Sequence, residues 1–248
     1  MRTQVPLPHR PRRLNNSPVK AIGIIGGMSW VSTAKYYQWL NEGIQKRLGG
    51  KHSARLFISS VQWQFIQDCQ EQGEWEKAGE YLASEARKLE QLGAEMILLA
   101  TNTMHKVAPK IEAAITVPFL HLADATADRI KEDALTSVGL IGTKYTMEQD
   151  FYKTRLENKG VKVLVPEPED RELINLVIFE ELCRDIINPE SKKEYMRIVE
   201  DIFNKGAQGI ILGCTEITML IGESDFDKPV FDTTRIHVDR AINMALEK

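Results

Sequence analysis

Short apolar runs alternate along the chain with longer segments of helical period. Residues 19–25, 55–61, 96–100 and 117–120 read as strands, and the apolar run 209–212 as one buried in a parallel sheet. Between them, Tyr36, Tyr37, Leu40 and Ile44 recur at helical spacing, with Ser32 or Thr33 as the cap and Gly49-Gly50 as the stop. A short helix carries Asp68-Cys69-Gln70, and an amphipathic helix spans 74–91 before Gly93. A helix over 124–130 follows. Strands then open at Ser137 and span 209–213 and 229–231, with helices over 171–187, 190–204 and 233–246. This alternation predicts parallel sheets flanked by helices, an α/β fold.

The same pattern occurs twice. Gly206-Ala207-Gln208-Gly209-Ile210-Ile211-Leu212-Gly213-Cys214-Thr215 lies over Gly93-Ala94-Glu95-Met96-Ile97-Leu98-Leu99-Ala100-Thr101-Asn102, an offset of 113. Ile22-Gly23-Ile24-Ile25-Gly26 lies over Val138-Gly139-Leu140-Ile141-Gly142 at offset 116, where Tyr36 also meets Tyr152 and Leu40 meets Leu156. Pro118 meets Pro229, and Asp128-Arg129 meets Asp239-Arg240, at offset 111. Three blocks in one order imply two similar halves of roughly 110 residues. The repeat sets Cys214 against Thr101, so a ligand between the halves meets a thiol on one side and a hydroxyl on the other.

Composition narrows the partners. The chain has 248 residues, 43% of them hydrophobic, and a net charge of −3 with both signs interspersed. That gives no electrostatic case for nucleic acid or an anionic membrane. No apolar run approaches the roughly 18–20 residues of a membrane span. Three widely separated cysteines make neither a disulfide framework nor a zinc-ligand spacing, so no metal is expected and the compartment reads as reducing and cytoplasmic. Residues 1–20, with four prolines and four arginines, read as a disordered basic extension and not as a secretory signal.

The candidate chemistry lies at strand ends, where open α/β sheets place their ligands. Gly26-Gly27-Met28-Ser29-Trp30 is a tight turn without the G-x-G-x-x-G spacing of dinucleotide sites. Thr143, Tyr145 and Thr146 replace its Gly27, Ser29 and Trp30 in the second half. Thr101, Asn102 and Thr103 place three polar side chains where a helix starts, and unpaired amides there favour a carboxylate. His105 suits either an acid/base group or a structural histidine. Cys69 and Cys183 read as packing residues. A thiolate opposite a second proton carrier can remove a proton from one face of a substrate carbon while the other returns one. That inverts a stereocentre without a cofactor if nearby dipoles stabilise the carbanion. Helix amides or nearby donors can lower a thiol pKa.

Ile22 to Met28, Thr101-Asn102-Thr103-Met104-His105 and Gly213-Cys214-Thr215-Glu216 together resemble the aspartate/glutamate racemase family, over about residues 20–248. The resemblance implies two pseudo-symmetric domains, each a parallel four-stranded sheet flanked by helices, with the active site in the interdomain cleft. The expected domains are 21–118 with 232–248, and 119–231. It implies cofactor-independent racemisation of aspartate or glutamate, and a homodimer. By the family's pattern Met28, Gln70, Asn102, Thr103, Thr143, Thr146 and Thr215 surround the substrate. Two departures stand out. Thr101 replaces the family's first cysteine, so Cys214 is expected to deprotonate the L-enantiomer, with L-to-D conversion faster in initial rate than D-to-L. Cys183 stands where many members carry a lysine. Two alternatives are a decarboxylase or isomerase of a small dicarboxylate, and a degenerate amino-acid-binding protein.

Overall fold

Ile22, Ile24, Ile25 and Met96 to Leu99 are buried to the last few percent, as are Ile210 to Leu212 in the second half. Strands covered on both faces need no polar alternation, which is why they read as unbroken apolar runs. The computed structural model describes residues 19–247. The first half contains β1 (Ile22–Gly26), α1 (Trp30–Leu48), β2 (Leu56–Ser60), α2 (Trp63–Glu71), α3 (Trp75–Gln91), β3 (Met96–Leu99), α4 (Ala108–Ala114), β4 (Phe119–Leu120) and α5 (Leu122–Glu132). The second contains β5 (Ser137–Gly142), α6 (Lys144–Glu148), α7 (Asp150–Asn158), β6 (Lys162–Leu164), α8 (Pro168–Glu180), α9 (Pro189–Asn204), β7 (Ile210–Gly213), β8 (Val230–Asp232) and α10 (Thr233–Leu246).

The two sheets have one topology, β2-β1-β3-β4 and β6-β5-β7-β8, with every pairing parallel. The closing helices are exchanged. Helix α5 follows β4 of the first sheet, yet Leu122, Ala123, Ala127 and Ile130 join the core of the second half around Val138, Leu140 and Tyr152. Helix α10 follows β8 of the second sheet, yet Val238, Ala241, Ile242 and Ala245 join Ile22, Ile24, Tyr36 and Leu40 in the first. The two exchanged helices also pack on each other.

Several expectations need correction. Phe119 and Leu120 pair with Ile97 and Leu98, and Asp232 pairs with Leu212, so the chain crosses between sheets after 120 and after 232, not at 118 and 231. Val19 is buried and the Lys20 amide donates to the Ala245 carbonyl, so both belong to the fold; the rest of the expected extension, 1–18, lies outside the described residues. Ser29, not Ser32 or Thr33, caps α1, accepting from the Ser32 amide at 3.2 Å. Tyr37 is exposed, because only Ser32, Thr33, Tyr36, Leu40 and Ile44 of α1 turn inward. The helix expected over 171–187 ends at Glu180; a 3-10 turn at Leu182–Arg184 follows, closed by Asp185 at φ 61°.

Three histidines are buried at the crossing between the halves. The ring of His105 lies 4.5 Å from that of His121 and 6.0 Å from that of His237, centre to centre. The His105 Nε2 accepts from the Leu122 amide at 3.2 Å, which leaves Nδ1 to carry the proton and donate to the Thr101 carbonyl at 2.7 Å. His237 Nε2 donates to the Leu120 carbonyl at 2.9 Å, and its Nδ1 accepts from the Tyr36 hydroxyl at 2.8 Å. Burial lowers the pKa of His237 to about 4, and burial with the neighbouring His237 lowers that of His105 to about 3. His105 is therefore a neutral structural group, and the acid/base alternative is set aside.

These neutral rings make stability depend on pH. The unfolded chain takes up protons below about pH 6.5, whereas the folded chain refuses them until near pH 4, so stability is lost as pH falls through that window, by up to about 1.4 kcal/mol per pH unit per histidine. Denaturant unfolding at intervals from pH 7.5 to pH 4.5 should show this decline, and a His237→Gln variant should show a shallower one. Equal slopes for the two proteins would contradict the assignment.

Candidate active site

Parallel strands leave their last carbonyls and the following amides at one end of a sheet, and here four such ends meet. Met28 follows β1, Thr101 and Asn102 follow β3, Thr143 follows β5, and Cys214 with Thr215 follows β7; all line one cavity of about 60 Å³. Gly27 makes the first turn possible. Its φ is +92°, and a Cβ there would come within 2.4 Å of the Val61 carbonyl oxygen.

Cys214 is buried at the junction of β7 and a 3-10 turn over Thr215–Met219. Its thiol donates to Glu216 Oε2 at 3.0 Å, and Glu216 Oε1 accepts from the Ser29 hydroxyl of the first half at 2.9 Å. Burial, the Glu216 charge and this hydrogen bond all push the Cys214 thiol well above its ordinary pKa, against a smaller opposite effect of the Glu216 amide. Helix amides can lower a thiol pKa, but they do not prevail here. A short turn supplies one helpful amide, and the carboxylate outweighs it.

On the other wall, Thr101 is held through its carbonyl by His105. Asn102 is buried, and its Nδ2 donates to Thr233 Oγ1 at 3.2 Å, while its Oδ1 has no hydrogen-bond partner among the described residues. A buried acceptor left unpaired is costly, and it marks the place of a donor from a ligand. Hydroxyls join the halves on both sides. Thr103 and Thr143 lie 3.0 Å apart, and Thr215 lies 2.9 Å from Ser32 and 2.8 Å from Thr234.

The cavity thus brings together Thr101, Cys214, Met28, Asn102, Thr103, Thr143 and Thr215, with Gln70 on the outer side, where its Nε2 meets Met104 Sδ at 3.0 Å. Thr146 is an exception. It is fully buried behind Thr143, 3.2 Å away, and does not face the cavity. Glu216, Ser29, Ser32 and Phe179 line the cavity and were missed as site residues. Glu216 was in view within the Gly-Cys-Thr-Glu segment, two residues from the thiol. Cys183 packs at the edge of the second half's core, as expected, and also lines the cavity, because the helix stops at Glu180 and leaves it half-buried. Burial and the charge of Glu216 raise its pKa to about 12, so it is a neutral thiol. Cys69 is a buried packing residue, as expected. Among the described residues no group of three His, Cys, Asp or Glu side chains could hold a metal ion.

The profile of the family described as Asp/Glu/Hydantoin racemase matches residues 25–241. The chain belongs to that family. Its members are cofactor-independent isomerases. The chain is 25% identical over 220 residues to the broad-specificity amino-acid racemase RacX of Bacillus subtilis (strain 168), covering 86% of this chain and 92% of that protein. A crystal structure from Yersinia pestis, assigned as a candidate Asp/Glu racemase, is 48% identical with a TM-score of 0.88, covering 92% of this chain and all of that one (100%). An aspartate racemase homologue from Pyrococcus horikoshii OT3 is 36% identical with a TM-score of 0.82, at the same coverage of 92% and 100%.

The geometry around Cys214 gives a test that needs no substrate. Replacing Glu216 by Gln removes the charge that holds the proton on sulfur. Iodoacetamide labelling of Cys214, followed by peptide mass spectrometry across pH 7–11, should turn on at lower pH in Glu216→Gln than in the wild type. An unchanged or higher midpoint would show that Glu216 does not govern the thiol.

Proposed function

We propose that the protein racemises amino acids by proton transfers on opposite faces of the α-carbon, with Cys214 serving the L-enantiomer and Thr101 the other face. The observation that carries this reading is that the two residues follow equivalent strands of the two sheets and line one cavity. Relatives named for aspartate, glutamate and broad-specificity racemases support an amino-acid substrate, with aspartate and glutamate first among them. A catalytic thiol that must stay reduced, and three free cysteines, fit a cytoplasmic enzyme. A homodimer belongs to the same proposal, and light scattering in solution reads it.

The steps follow from the hydrogen bonds. The substrate ammonium donates to Asn102 Oδ1 and offsets the charge of Glu216. The hydroxyls of Thr103, Thr143 and Thr215 accommodate the carboxylate. The Cys214 proton then moves to Glu216, which makes a thiolate with no change in the net charge of the pair. The thiolate removes the α-proton, and hydroxyl and amide dipoles stabilise the carbanion. The Thr101 hydroxyl gives its proton to the opposite face and is restored, through water, by the proton that Glu216 took from Cys214, which returns the site to its starting state. In reverse, Thr101 must act as the base, and an alcohol is far less suited to that task than a thiol.

Two enantiomers have equal free energy in water, so kcat/KM is the same in both directions. The handicap of Thr101 therefore falls on kcat for D-to-L conversion. Proton NMR in D₂O with chiral chromatography reads each step, using aspartate and glutamate. With the L-enantiomer, loss of the α-proton should accompany formation of the D-enantiomer. Thr101→Cys should raise kcat from the D side by tenfold or more, and Cys214→Ser should lower both directions by on the order of 10²–10⁴, the scale of a lost general base. Equal kcat values in the wild type would sink the assigned asymmetry. Binding without any exchange would favour an amino-acid-binding protein, and release of CO₂ a decarboxylase.

A further inference from the structure

A second pocket of about 330 Å³ adjoins the reaction cavity, and Gln70 and Phe179 line both. These two side chains come from opposite halves, Gln70 from α2 and Phe179 from α8. They are the partition between an inner and an outer space. The inner cavity, at about 60 Å³, has room for about five water-sized groups. The reacting part of an amino acid (nitrogen, α-carbon and carboxylate) already fills that. The larger pocket beyond Gln70 and Phe179 offers the adjoining space for a side chain longer than a methyl group.

The charges are divided in the same way. Among the described residues no Lys, Arg or His side chain lines the inner cavity, whereas Lys144 lines the outer pocket together with Tyr145 and Asn175. Lys144 directly follows Thr143, a wall of the inner cavity, so the cation starts one residue from the reaction site. Its backbone is fixed, because the Lys144 amide donates to Asn175 Oδ1 at 2.9 Å. Its ammonium reaches Glu172 on the surface and its side chain is 41% exposed, so it can turn to a new partner at small cost. Glu71 on the same pocket wall is the opposing charge.

We propose that the substrate side chain passes between Gln70 and Phe179 and that Lys144 receives its terminal carboxylate in the outer pocket. Acidic amino acids are thereby selected by a cation outside the reaction cavity, and Phe179 sets the width of the passage. This rests on the racemase reading, and adds the residue that chooses the substrate.

The test compares L-glutamate with L-glutamine, which has the same shape and no charge, by α-proton exchange in D₂O. Lys144→Met should lower kcat/KM for glutamate about threefold to tenfold relative to glutamine, the worth of a half-exposed ion pair. Lys144→Arg should restore the ratio, and Glu71→Gln should raise it. Phe179→Trp should narrow the passage, cutting kcat/KM for both about tenfold relative to L-alanine, the scale of a poorly fitting methylene. A glutamate-to-glutamine ratio within twofold of wild type in Lys144→Met overturns the role of Lys144. An unchanged preference over alanine in Phe179→Trp overturns the passage. Both results leave racemisation standing, whereas the absence of exchange with every amino acid in the wild type removes the racemase reading itself.

Discussion

Helices α5 and α10 each leave one sheet and bury their apolar faces on the other. Leu122, Ile130, Val238 and Ile242 are all at most 1% exposed, and each large side chain so buried contributes about 1.5–3 kcal/mol. The exchange ties the sheets together through their own cores rather than through a surface contact. It also sets their relative orientation, because the crossings follow β4 and β8 and so fix the carboxyl ends of both sheets towards one cleft. Every candidate functional residue depends on this. Thr101 and Cys214 can share a substrate only because two strand ends from different sheets open on one cavity. The buried histidines sit at the same crossings, where His105 joins the Thr101 carbonyl to the first amide of α5.

Within the cleft the difficulty is electrostatic. Glu216 puts a carboxylate beside a buried thiol, and the nearest groups that answer it are neutral, the hydroxyl of Ser29 and the thiol of Cys214. A charge so placed costs free energy unless it is paired. Asn102 Oδ1 adds an acceptor without a donor among the described residues. Both features are satisfied at once by a cationic donor, which is what the ammonium of an amino acid brings. In the proposed function the same Glu216 takes the proton from the Cys214 thiol, whose pKa is raised. The proton has only to cross 3.0 Å to an oxygen, and the pair keeps its net charge. A thiol made acidic in the empty site would instead be a weaker base and an easier target for oxidation.

Much of this was legible in the chain because the fold is built twice. The match of Gly93–Asn102 with Gly206–Thr215 placed Thr101 opposite Cys214, and both strands and both turns stand where the repeat puts them. The losses have separate causes. Strand β6 was not seen, because Lys162-Val163-Leu164 has three residues and one of them is charged. The cavity-lining side of Cys183 is hidden in the sequence because the helical period of α8 runs on past Glu180, and only the left-handed Asp185 shows where the chain turns. Ser29 and Glu216 were not joined because they lie 187 residues apart and no local pattern links a cap residue to a distant carboxylate. Thr146 was taken for a wall because it matches the register of the first half's turn, but in the second half that turn becomes α6 and draws Thr146 inward.

In the proposed function, a hydroxyl at Thr101 opposite the Cys214 thiol has a consequence beyond rate. Enantiomers of equal free energy require equal kcat/KM from either side. If turnover from the D side is slow, its KM must be lower by the same factor. The protein then holds the D-enantiomer more tightly than the L-enantiomer in the steady state, and the product inhibits its own formation. Conversion from L to D is sustained only where another reaction removes the D-enantiomer. Under the proposed function, an unequal pair of proton carriers thus leaves the equilibrium untouched, and makes the enzyme sensitive to its product in one direction.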